Sequence, residues 1–406
     1  MNAHDKTFDL KFRLYLGVFL ILLLPIFWFP YWFSQLSWRS YDFMNTGPIG
    51  DTIGGIMGPF VAILAAILTF MAFWVQFKAN LKQREDIRLE RFESKYYEMV
   101  RLHKENINET SIAGLHTGRK AFVRMYDEFV IIYKVVKASI QHFKTDENLK
   151  DCKLDYDLNQ EVELAYIIFF FGVDEIRDKG SKYYTEDFNS SLVDFIIRKL
   201  RKCQKKYSSK PNNHWVSFKL KVGEETIKFD WDYYPFDGHS SKLGHYFRHL
   251  YQTIKLATTH QVLNFKNNQW LQEYNARYDY VKVLRVLLSN HEQAMIYYNS
   301  FFTAGKVWWG DKSIGKKAHW NGHESNLSYF LDYGMIKNLP FNLIDEIGPE
   351  PREEFFNRMM EKGFDIDSDE SRAVTKSRIR ELFEWGISDD YFNELCSQYT
   401  ESKNEN

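Results

Sequence analysis

Residues 238–252 read GHSSKLGHYFRHLYQ and hold the densest group of side chains able to do chemistry. A helix beginning near Ser240 puts Leu243, Phe247, Leu250 and Ile254 in one stripe. His245, Arg248, His249 and Gln252 then fall on the opposite side, at spacings of three, four and seven. A solvated face ordinarily uses Lys and Glu, so His, Arg and Gln together set this helix apart. His239 stands just before it, with Asp230, Asp232 and Asp237 upstream. Three chemistries fit. His245 and His249, an i, i+4 pair, can present two nitrogens to one metal ion. No metalloprotease glutamate accompanies them and spacing fixes no third ligand, so no metal or other cofactor is expected. A polar pocket would take His239, His245, Arg248 and His249 as catalytic candidates, with His as acid–base and Arg as anion binder. The third is a buried polar network that joins helices. Gln252, with Asn290 and Glu292 from a later helix, is expected to line the same interior cleft as a ligand or partner contact.

A second pattern lies in residues 280–299, YVKVLRVLLSNHEQAMIYYN. Arg285 followed by His291 resembles the loose R-x(4–6)-H pattern of HEPN ribonucleases, in which Arg and His act together on an RNA phosphodiester. On one regular helix His291 falls with Val281, Leu284, Leu288 and Met295, while Arg285 points about 120° away. A core histidine is the expectation. No Walker-type phosphate loop, Gly-rich nucleotide fingerprint, nucleophile elbow or Cys/His zinc spacing occurs. Cys152, Cys203 and Cys396 are far apart, which fits a reducing compartment.

The elements that must position these groups start with two apolar segments. Residues 15–33 and 52–77 carry no charge, and each is long enough to cross a hydrocarbon core of about 30 Å. Lys11 and Arg13 precede the first; Lys78, Lys82, Arg84, Arg88 and Arg91 follow the second. Cytoplasmic flanks collect Lys and Arg, so an inner-membrane protein with two spans and both termini in the cytoplasm is expected. Residues 1–13 form its cytoplasmic N-terminus and 14–78 its transmembrane hairpin. Trp28, Tyr31, Trp32 and Trp38 suit an interfacial aromatic belt. Gly50, Gly54 and Gly58 recur every fourth residue and Ala62 and Ala66 continue the row. Such a row lets another helix backbone approach closely, either the first span or a second copy in a homo-oligomer. No Asp, Glu, Lys, Arg or His interrupts either span, so one hairpin offers no ion path.

The body is expected to be mainly α-helical: residues 79–347 as a large cytoplasmic domain with one β-hairpin at 215–233, then 348–406 as a helical extension and tail. Helices are expected at 79–106, 120–143, 159–171, 187–205, 241–264 and 269–301, with weaker helical character at 324–347. Two more are expected at 352–362 and 373–385, and disorder over the last ten or so residues. Within the hairpin Val216, Phe218, Leu220 and Val222 alternate with polar residues, as do Ile227, Phe229, Trp231 and Tyr233, and Gly223-Glu224-Glu225 joins the strands. Lys and Arg total 53 against 54 Asp and Glu, so bulk charge does not indicate nucleic-acid binding, although 198–210 is locally basic.

Four blocks carry a family resemblance: GPIGDTIGGIMGPFVAILAAILTFMAFWVQFKAN at 47–80 running into RLHKEN at 101–106, GRKAFVRMYDE at 118–128, GHSSKLGHYFRHLYQTIK at 238–255, and residues 280–299. In order and spacing they resemble the phage abortive infection proteins of the AbiC type over roughly residues 14–343. The family favours tyrosine where this chain has His291, a departure that further weakens the ribonuclease pattern. The resemblance implies a bacterial or prophage-borne defence protein that halts phage multiplication at the cost of the infected cell, and it assigns no catalytic residues. Two mechanisms follow as expectations. In one, a cytoplasmic sensor domain detects a phage component and oligomerised hairpins damage the bilayer. In the other, a membrane-tethered nuclease or other hydrolase uses the His/Arg cleft.

Overall fold

The computed structural model describes residues 47–145, 155–180, 188–209, 215–263, 270–318, 324–340, 343, 347–384 and 386–405, with 17, 21 and 28. The chain divides into two compact units, residues 1–89 and 90–406. Helix α1, Gly47–Glu109, begins in the first and runs into the second. Among the described residues, one helical segment, Met57–Glu109, is long and apolar enough to cross a membrane, and none of its most apolar stretch is buried against protein. Val61, Ile63, Phe70, Phe73, Trp74 and Phe77 are exposed along it, an apolar surface far beyond what a water-facing helix carries. Gly54 and Gly58 have no described atom within 4 Å of the position a Cβ would take, and Ala62 and Ala66 are exposed. The expected first span, 15–33, lies outside the described residues apart from Gly17, Ile21 and Trp28, so the two-span hairpin remains an expectation from sequence.

The second unit is mainly helical. Its centre is α2 (Arg119–Thr145), whose Phe122, Met125, Phe129, Ile132, Val136 and Phe143 are buried. Packed around it are α3 (Leu158–Glu175), α4 (Ser190–Ser208) and a later helix, α7 (Asn290–Asn299). Helix α3 starts from a capping box in which Asp157 and Gln160 satisfy each other's backbone N–H. Its run AYIIFFFGV is apolar all round and buried apart from half-buried Phe170, as suits a core helix. The C-terminal part of α1 adds Phe92, Tyr96, His103 and Ile107, a stripe spaced four, seven and four along one helical face.

The expected hairpin forms as β3 (Val216–Val222) and β4 (Glu225–Trp231), paired antiparallel from Val216 opposite Trp231 to Val222 opposite Glu225. It is not the sole β element: β1 (Ser111–Ile112) pairs with β2 (His116–Thr117), and β5 (Asp311–Ala318) with β6 (Glu324–Leu327). The expectation of helix over 324–347 is corrected by β6 and the turns that follow it. There Ser328 N–H donates to Asp332, and Gly334 takes φ +55°, a turn chemistry that competes with helix. A second correction concerns 269–301. That helix is two, α6 (Trp270–Val286) and α7, because Ser289 and Glu292 form a capping box and start a new helix there. The third is at the C-terminus. After α5 (Ser240–Thr259) and α7, the chain adds α8 (Pro351–Glu361), α9 (Asp369–Leu382) and α10 (Asp389–Glu405), so the residues expected to be disordered are helical through Glu405. Arg378 of α9 donates to the carbonyls of Leu331 and Asp332, and Lys362 pairs with the Asp332 carboxylate. These bonds fasten the C-terminal helices to the 328–334 turn.

Candidate functional site

The block at 238–252 begins where two backbones cross. Helix α3 is interrupted at Gly172, with φ 78° and ψ 167°, and Gly238 sits against it with φ 88°. A Cβ on Gly172 would lie 2.4 Å from the Asp237 carbonyl, and one on Gly238 would lie 2.5 Å from that of Phe171. Glycine is required at both by conformation and by space. The crossing is closed by His239 N–H donating to Phe170 O at 2.9 Å and Val173 N–H donating to Phe236 O at 3.0 Å.

His239 is the N-cap of α5 but makes no side-chain cap bond. Its Nε2 instead pairs with Glu128 Oε2 of α2 at 3.0 Å. The same carboxylate accepts from Tyr233 Oη at 2.7 Å and from Phe236 N–H at 2.6 Å. Burial, and then the Glu128 charge, push the Tyr233 phenol far above its ordinary range. Glu128 was unremarkable in sequence, one acid in GRKAFVRMYDE, yet it is the buried acceptor that ties α2 to the hairpin exit and to α5. This part of the block is a buried polar network.

His249 lies elsewhere. It is half-buried, and its ring stands near-parallel to His103 of α1, with centroids 5.8 Å apart and planes at 9°. Tyr246 approaches the His103 ring at 5.1 Å. His103 is fully buried, and neither of its nitrogens has a described hydrogen-bond partner, nor has His249 Nδ1. Burial, helped by His249, lowers the His103 pKa to about 4, and burial lowers that of His249. Near neutral pH both are uncharged. His103 reads in sequence as the polar end of a charged helix. The signal that would have found it is its place in the stripe with Phe92, Tyr96 and Ile107.

The remaining residues separate further. The apolar stripe of Leu243, Phe247, Leu250 and Ile254 is buried as expected, and His245, Arg248 and Gln252 lie on the exposed side. They do not line an interior cleft with His239. Among the described residues none of the three has a hydrogen bond or ion pair, so they are open to an external partner. Asn290 is exposed in the first turn of α7. Glu292 is buried: Oε2 accepts from Ser289 N–H and Oγ, and Oε1 accepts from Tyr246 Oη at 3.1 Å. Through Tyr246, α5 packs on the α6–α7 junction. His291 is half-buried rather than core, edge-on to Tyr126 at 5.5 Å, because the helix restarts at Ser289. Arg285 is engaged by Gly334 O at 2.6 Å, so the two do not form a ribonuclease pair.

A further cluster was missed. His116 Nε2 lies 2.9 Å from Asp232 Oδ2, Arg124 donates to Asp232 Oδ1 at 2.8 Å and to Asp127 at 3.2 Å, and its guanidinium stacks 4.3 Å over Trp231. Each charge in it has an opposite partner, which suits fastening β2, α2 and β4 together. Its members are spread over residues 116–232, and only Arg124 and Asp127, three apart on α2, are connected by a spacing rule.

These contacts define a mainly helical protein whose α5 block is tied by buried hydrogen bonds into α2 and α7 and by ring contacts into α1, while leaving one basic, amide-bearing face exposed. Residues 238–316, from the start of that block to β5, match the family model described as "putative phage abortive infection protein", the family that the sequence blocks resemble. No curated protein and no solved structure matches the chain.

Proposed function

We propose that the chain is a membrane-anchored phage-defence protein acting by abortive infection, in which a cytoplasmic sensor domain drives a membrane effector hairpin. The observation that carries the defence role is the family match over residues 238–316, which contains α5 with His245, Arg248 and Gln252. The exposed apolar surface of α1 supports the anchor. In this reading the open face of α5 receives a phage component, and copies of the chain associate through the Gly54, Gly58, Ala62, Ala66 row of the second span. The alternative, a tethered hydrolase, would need an acid–base pair poised at a surface. His239 and Glu292 are instead enclosed by protein partners, Asp232 beside His116 is also held by Arg124, and His245 and Arg248 have no described carboxylate beside them.

A time course in infected cells, following membrane potential and total RNA and DNA integrity together, separates the two. The expected result is early depolarisation with intact nucleic acid, absent when Arg248→Ala and His245→Ala are combined at unchanged protein level. Nucleic-acid fragmentation before any depolarisation would eliminate the effector reading and promote the hydrolase.

A further inference from the structure

The locally basic stretch after residue 197 acquires a partner surface in the fold. Lys199, Lys202 and Lys206 share one face of α4, at spacings of three and four. That face runs beside the outer edge of β3: Lys199 Nζ donates to Lys221 O at 2.8 Å and Lys206 Nζ donates to Ser217 O at 2.7 Å. Covering the edge carbonyls of a two-stranded sheet accounts for these two lysines. It does not account for the rest. Lys202 is exposed and makes no described bond. Lys219, midway between the two covered positions, is exposed on β3, and Lys228 of β4 stands directly opposite it in the ladder and is exposed too. Like charges directly opposite one another destabilise a sheet. Among the described residues no carboxylate pairs with Lys199, Lys202, Lys206, Lys219, Lys221 or Lys228. The contrast with α1 is informative, since Arg101 there is matched by Glu98 and Glu105. Burial, then Lys202 and Lys221, lower the Lys199 pKa, an independent sign that positive charge is crowded here.

We propose that this lysine face of α4 and the β3–β4 hairpin binds the phosphate backbone of single-stranded nucleic acid. The near-zero charge of the whole chain is compatible with it, because the basic groups are gathered on one surface rather than absent. A repeating polyanion supplies counter-charge to several lysines at once, which a single bound anion does not. The adjacent aromatic favours a nucleic acid over other polyanions: Trp215, 62% exposed, immediately precedes β3, about 7 Å along the strand from Ser217. Arg124 lies 5.3 Å over its ring and orients it, leaving an indole on which a base can stack. The inference is independent of the proposed membrane role and stands or falls without it.

The test uses the full chain in detergent micelles, with fluorescein-labelled oligo(dT) and oligo(U) of about 20 nucleotides. Binding is followed by anisotropy from about 25 to about 200 mM salt, with phosphatidylglycerol vesicles in parallel. Binding of an oligonucleotide is expected, with log affinity falling against log salt at a slope of about −3. The double variant Lys202→Glu/Lys219→Glu should lower affinity at least about tenfold without loss of melting temperature, because the second change puts an acid opposite Lys228. Trp215→Ala should weaken binding and leave the slope unchanged. No binding at the lowest salt, equal binding by the double variant, or a lysine-dependent interaction with vesicles alone would each overturn the proposal.

Discussion

An uncharged imidazole with both nitrogens unpaired is a costly occupant of a helical core position, since each buried, unsatisfied polar group forfeits about 1–3 kcal/mol. His103 holds that position, and its titration gives the cost a pH signature. Its pKa falls from 6.5 to about 4, so between those values the unfolded chain binds a proton that the folded chain does not. The His103 contribution to stability is therefore full above pH 6.5 and is lost as pH falls toward 4, by about 3 kcal/mol in all. Melting temperatures of the detergent-solubilised chain across this range should show the decline. His103→Phe should remove most of it and stabilise the protein at neutral pH by about 1 kcal/mol; an unchanged profile would mean that another group carries the dependence. Glu128 makes the opposite case. Glu128→Ala leaves Phe236 N–H and His239 Nε2 without their partner and Tyr233 Oη with only its longer bond to Arg124 O, and should cost about 3–5 kcal/mol, read as a lowered unfolding midpoint. The contrast explains what could be read in advance. The stripe and the polar side of α5 were legible because they depend on spacing within one helix. His103, Glu128 and Asp232 were not, because their roles are set by side chains more than a hundred positions away.

At the scale of elements, backbone geometry at two glycines decides how α5 enters the fold. Gly172→Ala or Gly238→Ala would force a positive-φ alanine into contact with carbonyl groups about 2.5 Å away, and each should destabilise by more than about 3 kcal/mol. Gly244 provides the control on the same helix. Its nearest neighbour to a built Cβ is 3.9 Å away, so Gly244→Ala should be neutral or stabilise by up to about 1 kcal/mol. Similar losses in all three variants, measured by urea unfolding, would show that the crossing is not a special constraint. Helices with strong apolar periodicity, and the β3–β4 hairpin with its strict alternation, were visible in sequence. The errors arose where a local start signal overrode a long periodic run, as at Ser289 and Glu292. They also arose where a strand was too short and irregular to alternate: β5 departs from its register with β6 between Asp311 and Lys316. The last helix, α10, was missed because its polar sequence resembles a tail. It is held in place by Phe392 and Leu395, which are buried, and by Tyr391 Oη donating to Glu350 at 3.0 Å.

For the whole molecule, the proposed anchor makes the side of the membrane on which each part of the chain lies the decisive question. On the proposed two-span reading, the charge asymmetry around the two apolar segments would place the residues between them in the periplasm and the body in the cytoplasm. A phosphatase active only in the periplasm, fused after Asn45, should therefore be active, and the same reporter after Asn406 should be silent; a reporter active only in the cytoplasm should give the reverse. Activity of the phosphatase at the C-terminus would reject the topology and, with it, a sensor that reads phage components inside the cell. The small-residue row adds a second, separable expectation. Replacing Gly54 and Gly58 by Leu fills a surface that no described atom covers, so neither insertion nor the melting of the 90–406 unit should change. If helices of separate copies meet along that row, the bulkier side chains hold the backbones apart and remove the close contact that drives their association. Cross-linked oligomers and protection from phage should then disappear together while membrane-bound protein stays at its normal level. Protection that survives the loss of oligomers would leave α1 as an anchor only, and the action on the infected cell would have to come from the body it carries.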